Sequence, residues 1–192
     1  MTDFQVEDFV SCDIETLGLS VDSSIIQVGL CWYNEGEYKT ASALVKPDEA
    51  RSNKSTLAWW ESQTETGNFT LHNAYRSGAD TLAEGFGGAL STLMPYSGHR
   101  HGALQNMEWW FRGPQFDEAM LSHQSNADSL WKYYNVRCQR TLEKTVLDLG
   151  YTMNDILQGY QAEGVKHDAG YDAEMQARSV VGCKRLLSNL KQ

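Results

Sequence analysis

Over residues 25–33 the chain alternates without a break. Ile26, Val28, Leu30 and Trp32 are large and apolar, and Gln27, Gly29 and Cys31 stand between them. A repeat of two is the mark of an extended strand, whose successive side chains leave opposite faces. The segment therefore predicts a β-strand with one buried face. Asn34-Glu35-Gly36 gives a turn, and residues 38–45 return as a third strand. Residues 9–13 (Phe-Val-Ser-Cys-Asp) are short and β-prone and read as a buried first strand. A chain that opens on such a meander has committed a sheet face to burial, and the remainder must supply the cover.

After Pro47 the pattern changes. Residues 55–63 predict a short helix carrying Trp59 and Trp60, and residues 67–78 are polar and irregular. From Asp80 onward, Leu82, Phe86, Leu90 and Leu93 recur at helical spacing. Residues 95–105, rich in Gly and His, read as a loop, and the aromatic segment 107–112 as a strand stopped by Gly113-Pro114. A helix is expected over 116–127 with Phe116, Met120 and Leu121 turned inward, then a last strand over 133–137 and a helix over 141–149 that Gly150 ends. A closing helix over 168–190 should bury Ala173, Ala177, Val180, Leu187 and Leu190. Meander strands followed by strands interleaved with helices predict a layered α/β domain with a mixed sheet, although periodicity does not fix the strand order. With 192 residues, 41% of them apolar, the chain can bury a real core, and residues 1–192 read as one domain.

The formal net charge is −9. A protein that coats DNA through many phosphate contacts needs the opposite sign, so that class is disfavoured. An enzyme that grips only a strand end is not, because bound cations reverse the sign of an acidic site. No basic segment leads into an apolar run at the start, and no stretch approaches the ~18 apolar residues of a membrane span. A soluble, cytoplasmic protein without a membrane partner is expected. Cys12, Cys31, Cys138 and Cys183 are scattered with no metal-site spacing, and read as reduced thiols without a role.

Three acidic patches stand out. Asp13 and Glu15 lie two apart at the end of the first strand, so both leave the same face. Side-by-side carboxylates repel unless a cation sits between them. Alone, such a pair is commonly a solvated strand edge; at the mouth of a strand carrying Val10, Cys12 and Ile14 into the core it is costly without a purpose. Asp117, just inside a helix, reads singly as a charge stabilising the helix N-terminus. At the carboxyl end of the preceding strand it also faces the region where ligands gather in open α/β sheets. His167 lies on the loop entering the closing helix and Asp172 on its first turns. Asp168 between them reads as the N-cap, and Glu174 as an exposed helical charge. Together, four carboxylates and an imidazole can hold divalent cations about a phosphodiester and supply a base near neutral pH. Hard oxygen ligands favour Mg²⁺ or Mn²⁺ over zinc.

In this order the motifs resemble the DEDDh class of 3′–5′ exonucleases, which includes the proofreading subunits of DNA polymerases, ribonuclease T and oligoribonuclease. The matching segments are Asp13-Ile-Glu-Thr-Leu-Gly18, Gly113-Pro-Gln-Phe-Asp-Glu-Ala-Met-Leu121 and His167-Asp-Ala-Gly-Tyr-Asp-Ala173. The Trp-Trp segment after the third strand and Arg140-Thr-Leu resemble the branch holding the phage-encoded exonuclease A and the mycobacterial ribonuclease AS, over roughly residues 9–185. The resemblance implies a ribonuclease H-like exonuclease fold, its mixed central sheet built of a three-strand antiparallel meander plus parallel strands and flanked by helices. It implies hydrolysis of single-stranded DNA or RNA 3′ ends to nucleoside 5′-monophosphates, in the cytoplasm or, for a phage protein, the host's. It also implies two Mg²⁺ or Mn²⁺ ions, such as stabilise attacking and leaving oxygens when ~3.5–4 Å apart. Carried over, Asp13, Glu15 and Asp172 are the inner metal ligands, Asp117 supports the second metal, and His167 takes the proton of the attacking water. Thr16 and Leu17 would line the pocket for the terminal nucleotide; Leu17 stands where proofreading members often have a second Thr. A homodimer is a further implication.

Two other classes compete. One is a catalytically silent module that binds nucleic-acid 3′ ends or associates with a polymerase. The other is a structural α/β protein whose acidic residues are surface charges. Trp59, Trp60, Trp109, Trp110 and Trp131 could stack on unpaired bases; core packing is the plainer reading for each, though adjacent tryptophans do not both bury easily. Arg137, Arg140 and Lys132 could touch phosphate or a second subunit, as few exposed basic residues do. His72, His99, His101 and His123 have no metal-like spacing.

Overall fold

The computed structural model describes residues 6–97, 104–125, 127–160 and 163–190. Strands β1 (Phe9–Thr16), β2 (Ile25–Asn34) and β3 (Glu37–Leu44) form the expected meander. Helices α1 (Lys54–Gln63), α2 (Thr70–Ser77) and α3 (Leu82–Ser97) follow. Then come β4 (Glu108–Phe111), α4 (Asp117–Ser125), β5 (Val136–Cys138), α5 (Gln139–Asp148), α6 (Met153–Leu157) and α7 (Ala169–Asn189). The sheet order is β3-β2-β1-β4-β5. β1–β2 and β2–β3 pair antiparallel, β1–β4 and β4–β5 parallel. No helix among the described residues is long and apolar enough to cross a membrane.

Alternation sends the two halves of each strand to different layers. Val10, Cys12, Val28, Leu30, Trp32, Trp109 and Phe111 pack with Phe86, Leu90, Met120 and Leu121 of α3 and α4. Phe9, Cys31, Tyr33 and Trp110 pack on the opposite face against Ala173, Ala177 and Val180 of α7. Trp109 and Trp110 are thus both buried, as core packing predicts for each; neighbours on a strand have two cores to enter, which removes the difficulty of burying an adjacent pair. The pair on α1 does divide, with Trp60 buried and Trp59 exposed.

β2 also departs from its one-faced pattern, being buried on both faces from Ile25 to Tyr33. The small and polar residues of its second face receive α7. A Cβ added to Gly29 would lie 1.9 Å from the Ala169 carbonyl oxygen, so the start of the helix rests directly on the strand backbone. The Gln27 side chain donates to Asp168 Oδ2 at 2.8 Å and accepts from the Ala169 N–H at 3.0 Å. Asp168 caps α7 by accepting from the Tyr171 N–H. Gln27 and Gly29 therefore fix where the last helix begins.

Five further departures from expectation follow. α2 occupies part of the segment read as irregular, where buried Leu71 and Ala74 at i, i+3 give it a narrow apolar seam. α3 continues through Pro95 to Ser97, since a proline in the last turn forfeits only one backbone bond; the rest of the expected His-rich loop lies outside the described residues. Residues 133–135 form a 3-10 turn, leaving β5 only Val136–Cys138. α6 was not anticipated, although Thr152 and Asp155 form a capping box at its start. At the end of α7, Leu187 is only partly buried, against the cluster of Val146 and Ile156 from α5 and α6, and Leu190 is exposed.

β1 pairs with β4 only from Phe9 to Cys12. Beyond Cys12 and Phe111 the parallel strands part, and Asp13 to Thr16 run on paired with β2 alone. This split opens a cleft at the carboxyl ends of the strands, where open α/β sheets hold their ligands.

Candidate active site

The cleft has a volume of about 680 Å³, and Asp13, Glu15, Asp117, His167 and Asp172 all line it. Residues 13 and 172 thus meet across the whole length of the chain. Asp13 and Glu15 project onto the α7 side from the end of β1 that β4 leaves uncovered, Asp117 opens α4, and His167 and Asp172 flank the start of α7.

The carboxylates strain against one another. Burial, with the charges of Asp117, Glu15 and Asp172, pushes Asp13 well above its ordinary 3.8, and a 2.6 Å hydrogen bond donated by Gln176 Nε2 offsets part of this. Glu15 is pushed up to about 8 by burial and by Asp172, Asp168 and Asp117. Burial raises Asp117 to about 6 even though its Oδ2 accepts from the Gly113 N–H at 3.3 Å and the charges of Arg140 and Arg112 act the other way. Asp172, raised by burial, accepts from the His167 N–H at 2.9 Å. Burial, and for Asp13 and Glu15 the mutual repulsion of the carboxylates, outweighs the nearby charges of Arg112, Arg140 and Lys166, so all four groups are raised. Ligand atoms of Glu15, His167 and Asp172 lie within 4.8 Å of one another. An oxygen-rich donor set with excess negative charge fits a hard divalent cation.

His167 is held firmly. Its φ of 66° is unusual for a residue with a side chain. Asn68 Nδ2 donates to the carbonyls of Lys166 (2.9 Å) and His167 (3.2 Å), and Thr70 Oγ1 also donates to the latter. The ring stands edge-to-face on Trp59, with centroids 4.9 Å apart. Trp60 Nε1 in turn donates to the Thr16 carbonyl, tying this wall to the end of β1. Burial lowers the imidazole below its ordinary 6.5, which keeps it neutral and able to accept a proton at pH 7. Its Nδ1 is 3.9 Å from Glu15 Oε1, too far for a hydrogen bond.

Thr16 and Leu17 are placed otherwise than expected. Thr16 Oγ1 donates to the Gly18 carbonyl at 2.8 Å, and Leu17 is fully buried with Ile26, Trp60, Leu71 and Ala74. Neither side chain lines the cleft; among the apolar residues that do is Leu19, 86% exposed. Glu174 bonds Arg178 and Tyr160 outside the cleft. Trp131 is buried against Trp109 and Phe111, Arg137 pairs with Glu108, and Lys132 donates to Asn106. His123 meets Asp22 at the surface, and His99 and His101 lie outside the described residues.

Sequence reasoning missed Gln139, Glu143, Gln176 and Ser179, buried polar residues of the cleft wall, and Arg112 beside them. Spacing could have found them. Asp172, Gln176 and Ser179 fall at i, i+4 and i+7 on α7, and Gln139 and Glu143 at i, i+4 on α5, so each set shares one helical face.

The family model for the 3'-5' exoribonuclease Rv2179c-like domain matches residues 8–183. Among solved structures, the chain is similar to "Exonuclease X in complex with 5' overhanging duplex DNA", with a TM-score of 0.54 and 16% sequence identity over 93% of this chain and 92% of that one. No curated protein matches it significantly. The structural likeness bears on fold alone and agrees with the mixed five-stranded sheet as a ribonuclease H-like exonuclease fold. With the family model spanning nearly the whole chain and the acidic motifs in the DEDDh order, the chain belongs to the 3'-5' exoribonuclease Rv2179c-like family and is a 3′–5′ exonuclease of the DEDDh type.

Proposed function

We propose that residues 1–192 form one exonuclease domain that removes nucleotides singly from the 3′ end of single-stranded RNA, releasing nucleoside 5′-monophosphates. The observation that carries this reading is the convergence of four crowded carboxylates and one imidazole in a single cleft. Asp13, Glu15, Asp117 and Asp172 would hold two divalent cations, Mg²⁺ or Mn²⁺. Bound there, the cations offset the carboxylates and stabilise charge building on the phosphodiester oxygens. His167 accepts the proton of the attacking water, in an orientation fixed by Asn68, Thr70 and Trp59. Gln176 and the Gly113 amide orient Asp13 and Asp117. Leu19 offers an apolar surface to the terminal base, in place of Leu17.

RNA is favoured over DNA by the family description, while the DNA complex is a property of the structural neighbour. The test is 3′-end trimming of matched 5′-labelled RNA and DNA oligonucleotides with Mg²⁺, with Mn²⁺ and with chelator. Monophosphate release from RNA at the higher rate, abolished by chelator, is expected. Binding of 3′ ends with no release in either metal would instead establish a silent end-binding module.

A further inference from the structure

The cleft is acidic along its floor but not at one end. Arg112 follows β4, and Arg140 lies in the first turn of α5 directly after β5; both line the cleft. Lys166 and His167 sit at the other end, before an α7 start that rests on β2 at Gly29 and against Ser42 of β3. The strand order β3-β2-β1-β4-β5 places Asp13 and Glu15 between these two ends. Adjacent strands are ~4.8 Å apart, so β5 lies ~10 Å from β1.

Arg112 is anchored. Its Nη1 is 3.4 Å from Gln139 Oε1 and 3.9 Å from Glu143 Oε2. Glu143 Oε1 accepts at 2.5 Å from both Gln139 Nε2 and Ser179 Oγ. Gln139, Glu143 and Ser179 are all buried, so a satisfied polar network inside the wall ends outward in a half-exposed guanidinium. Arg140 is exposed, and its side chain makes no hydrogen bond or ion pair among the described residues. Two guanidinium groups thus converge at one cleft end of a chain with net charge −9, one fixed and one free to engage a ligand. Guanidinium is the side chain suited to phosphate oxygens.

In-line displacement decides which phosphate. The attacking water and the departing 3′ oxygen lie on opposite sides of the phosphorus. With His167 accepting the proton at the α7 end, the departing oxygen, and the strand attached to it, point towards Arg112 and Arg140. We propose that Arg112 and Arg140 clamp the strand that remains, gripping the phosphodiester one step upstream of the bond being cut. The clamp rests on the nuclease reading above and gives the cleft a strand polarity. The released nucleotide lies on the Leu19 and His167 side, the remaining strand on the β5 side.

Chain length tests it. A dinucleotide contains only the scissile phosphodiester, a trinucleotide adds the upstream one, and a 5′-phosphorylated dinucleotide adds the phosphate without the nucleoside. For the unaltered enzyme, KM should fall about tenfold from dinucleotide to trinucleotide, the usual scale of a charge-assisted contact, and the 5′-phosphate should reproduce most of that fall. In Arg140→Gln the fall should shrink to about twofold, and the salt slope of log KM on longer strands should drop by ~0.7. Arg112→Lys, which keeps the charge but loses the fork, should lie between the two. If Arg140→Gln weakens dinucleotide and trinucleotide by one common factor, the arginine serves Asp117 or the scissile group, and the clamp is refuted. An active enzyme with no length step refutes the clamp alone; an unaltered chain that releases no monophosphate at any length removes the nuclease reading and the clamp together.

Discussion

Stripping divalent ions from the protein and raising the pH should destabilise it, and the carboxylate cluster sets the size of the effect. Glu15 rises from its ordinary 4.5 to about 8 in the folded chain. A carboxyl group raised on folding binds its proton more tightly in the native state, so its contribution is fully present below pH 4.5. That contribution is lost as pH climbs through about 8. For Glu15 alone, the change from pH 5 to pH 8 removes roughly 3 kcal/mol. Asp117, raised to about 6, acts in the same direction over a lower window. In a domain of this size ~3 kcal/mol corresponds to a fall in Tm of about 6–12 °C. A divalent cation that binds only the folded state restores ~2.7 kcal/mol at a hundred times its Kd. The assay is thermal unfolding at pH 5, 6.5 and 8, with chelator and with Mg²⁺ or Mn²⁺. Glu15→Gln is the control: it removes the charge without much change of shape, so without metal it should melt above the unaltered protein at pH 8 and gain less from the cation. A metal-free Tm that is flat or rises from pH 5 to 8, or a Glu15→Gln variant with the same slope, would refute the account of mutually repelling buried carboxylates.

Three other perturbations separate the parts of the site. His167→Ala should leave Mn²⁺ affinity by calorimetry nearly intact while lowering kcat by ~10²–10⁴, the range for a general base; equal loss of both would mean the imidazole is chiefly a ligand. Gln176→Leu removes the donor to Asp13 Oδ1 and should weaken cation binding ~10–100-fold, as loss of an orienting partner does, with circular dichroism unchanged. Gly29→Ala drives a methyl group to 1.9 Å from the Ala169 carbonyl. It should cost about 3 kcal/mol in urea unfolding and also reduce activity, because α7 carries Asp172; a variant as stable as the parent would show that the helix can shift freely.

What was legible in the sequence follows from how local each signal is. The meander, the long closing helix and its Asp168 cap are written in adjacent residues, and the structure has them within a few positions. The convergence of Asp13, Glu15, Asp117, His167 and Asp172 is not local, and only the order of three motifs pointed to it. Errors arose where a residue's fate depends on a partner distant in the chain. Gln27 and Gly29 looked like the solvent side of a strand because nothing nearby announces that α7 will lie on them. The resemblance carries Leu17 over as a pocket wall, whereas the turn after β1 sends it into the layer held by Trp60 and returns Leu19 to the cleft. The split between β1 and β4 explains both the site and the difficulty of foreseeing it. Four residues of pairing hold the strands together, and the next residues, freed from a neighbour on that side, are the ones that carry the carboxylates. A longer β4 would pair with Asp13 and Glu15 and close the cleft, so the shortness of that strand, set by Gly113-Pro114, is as much a part of the site as the acidic side chains.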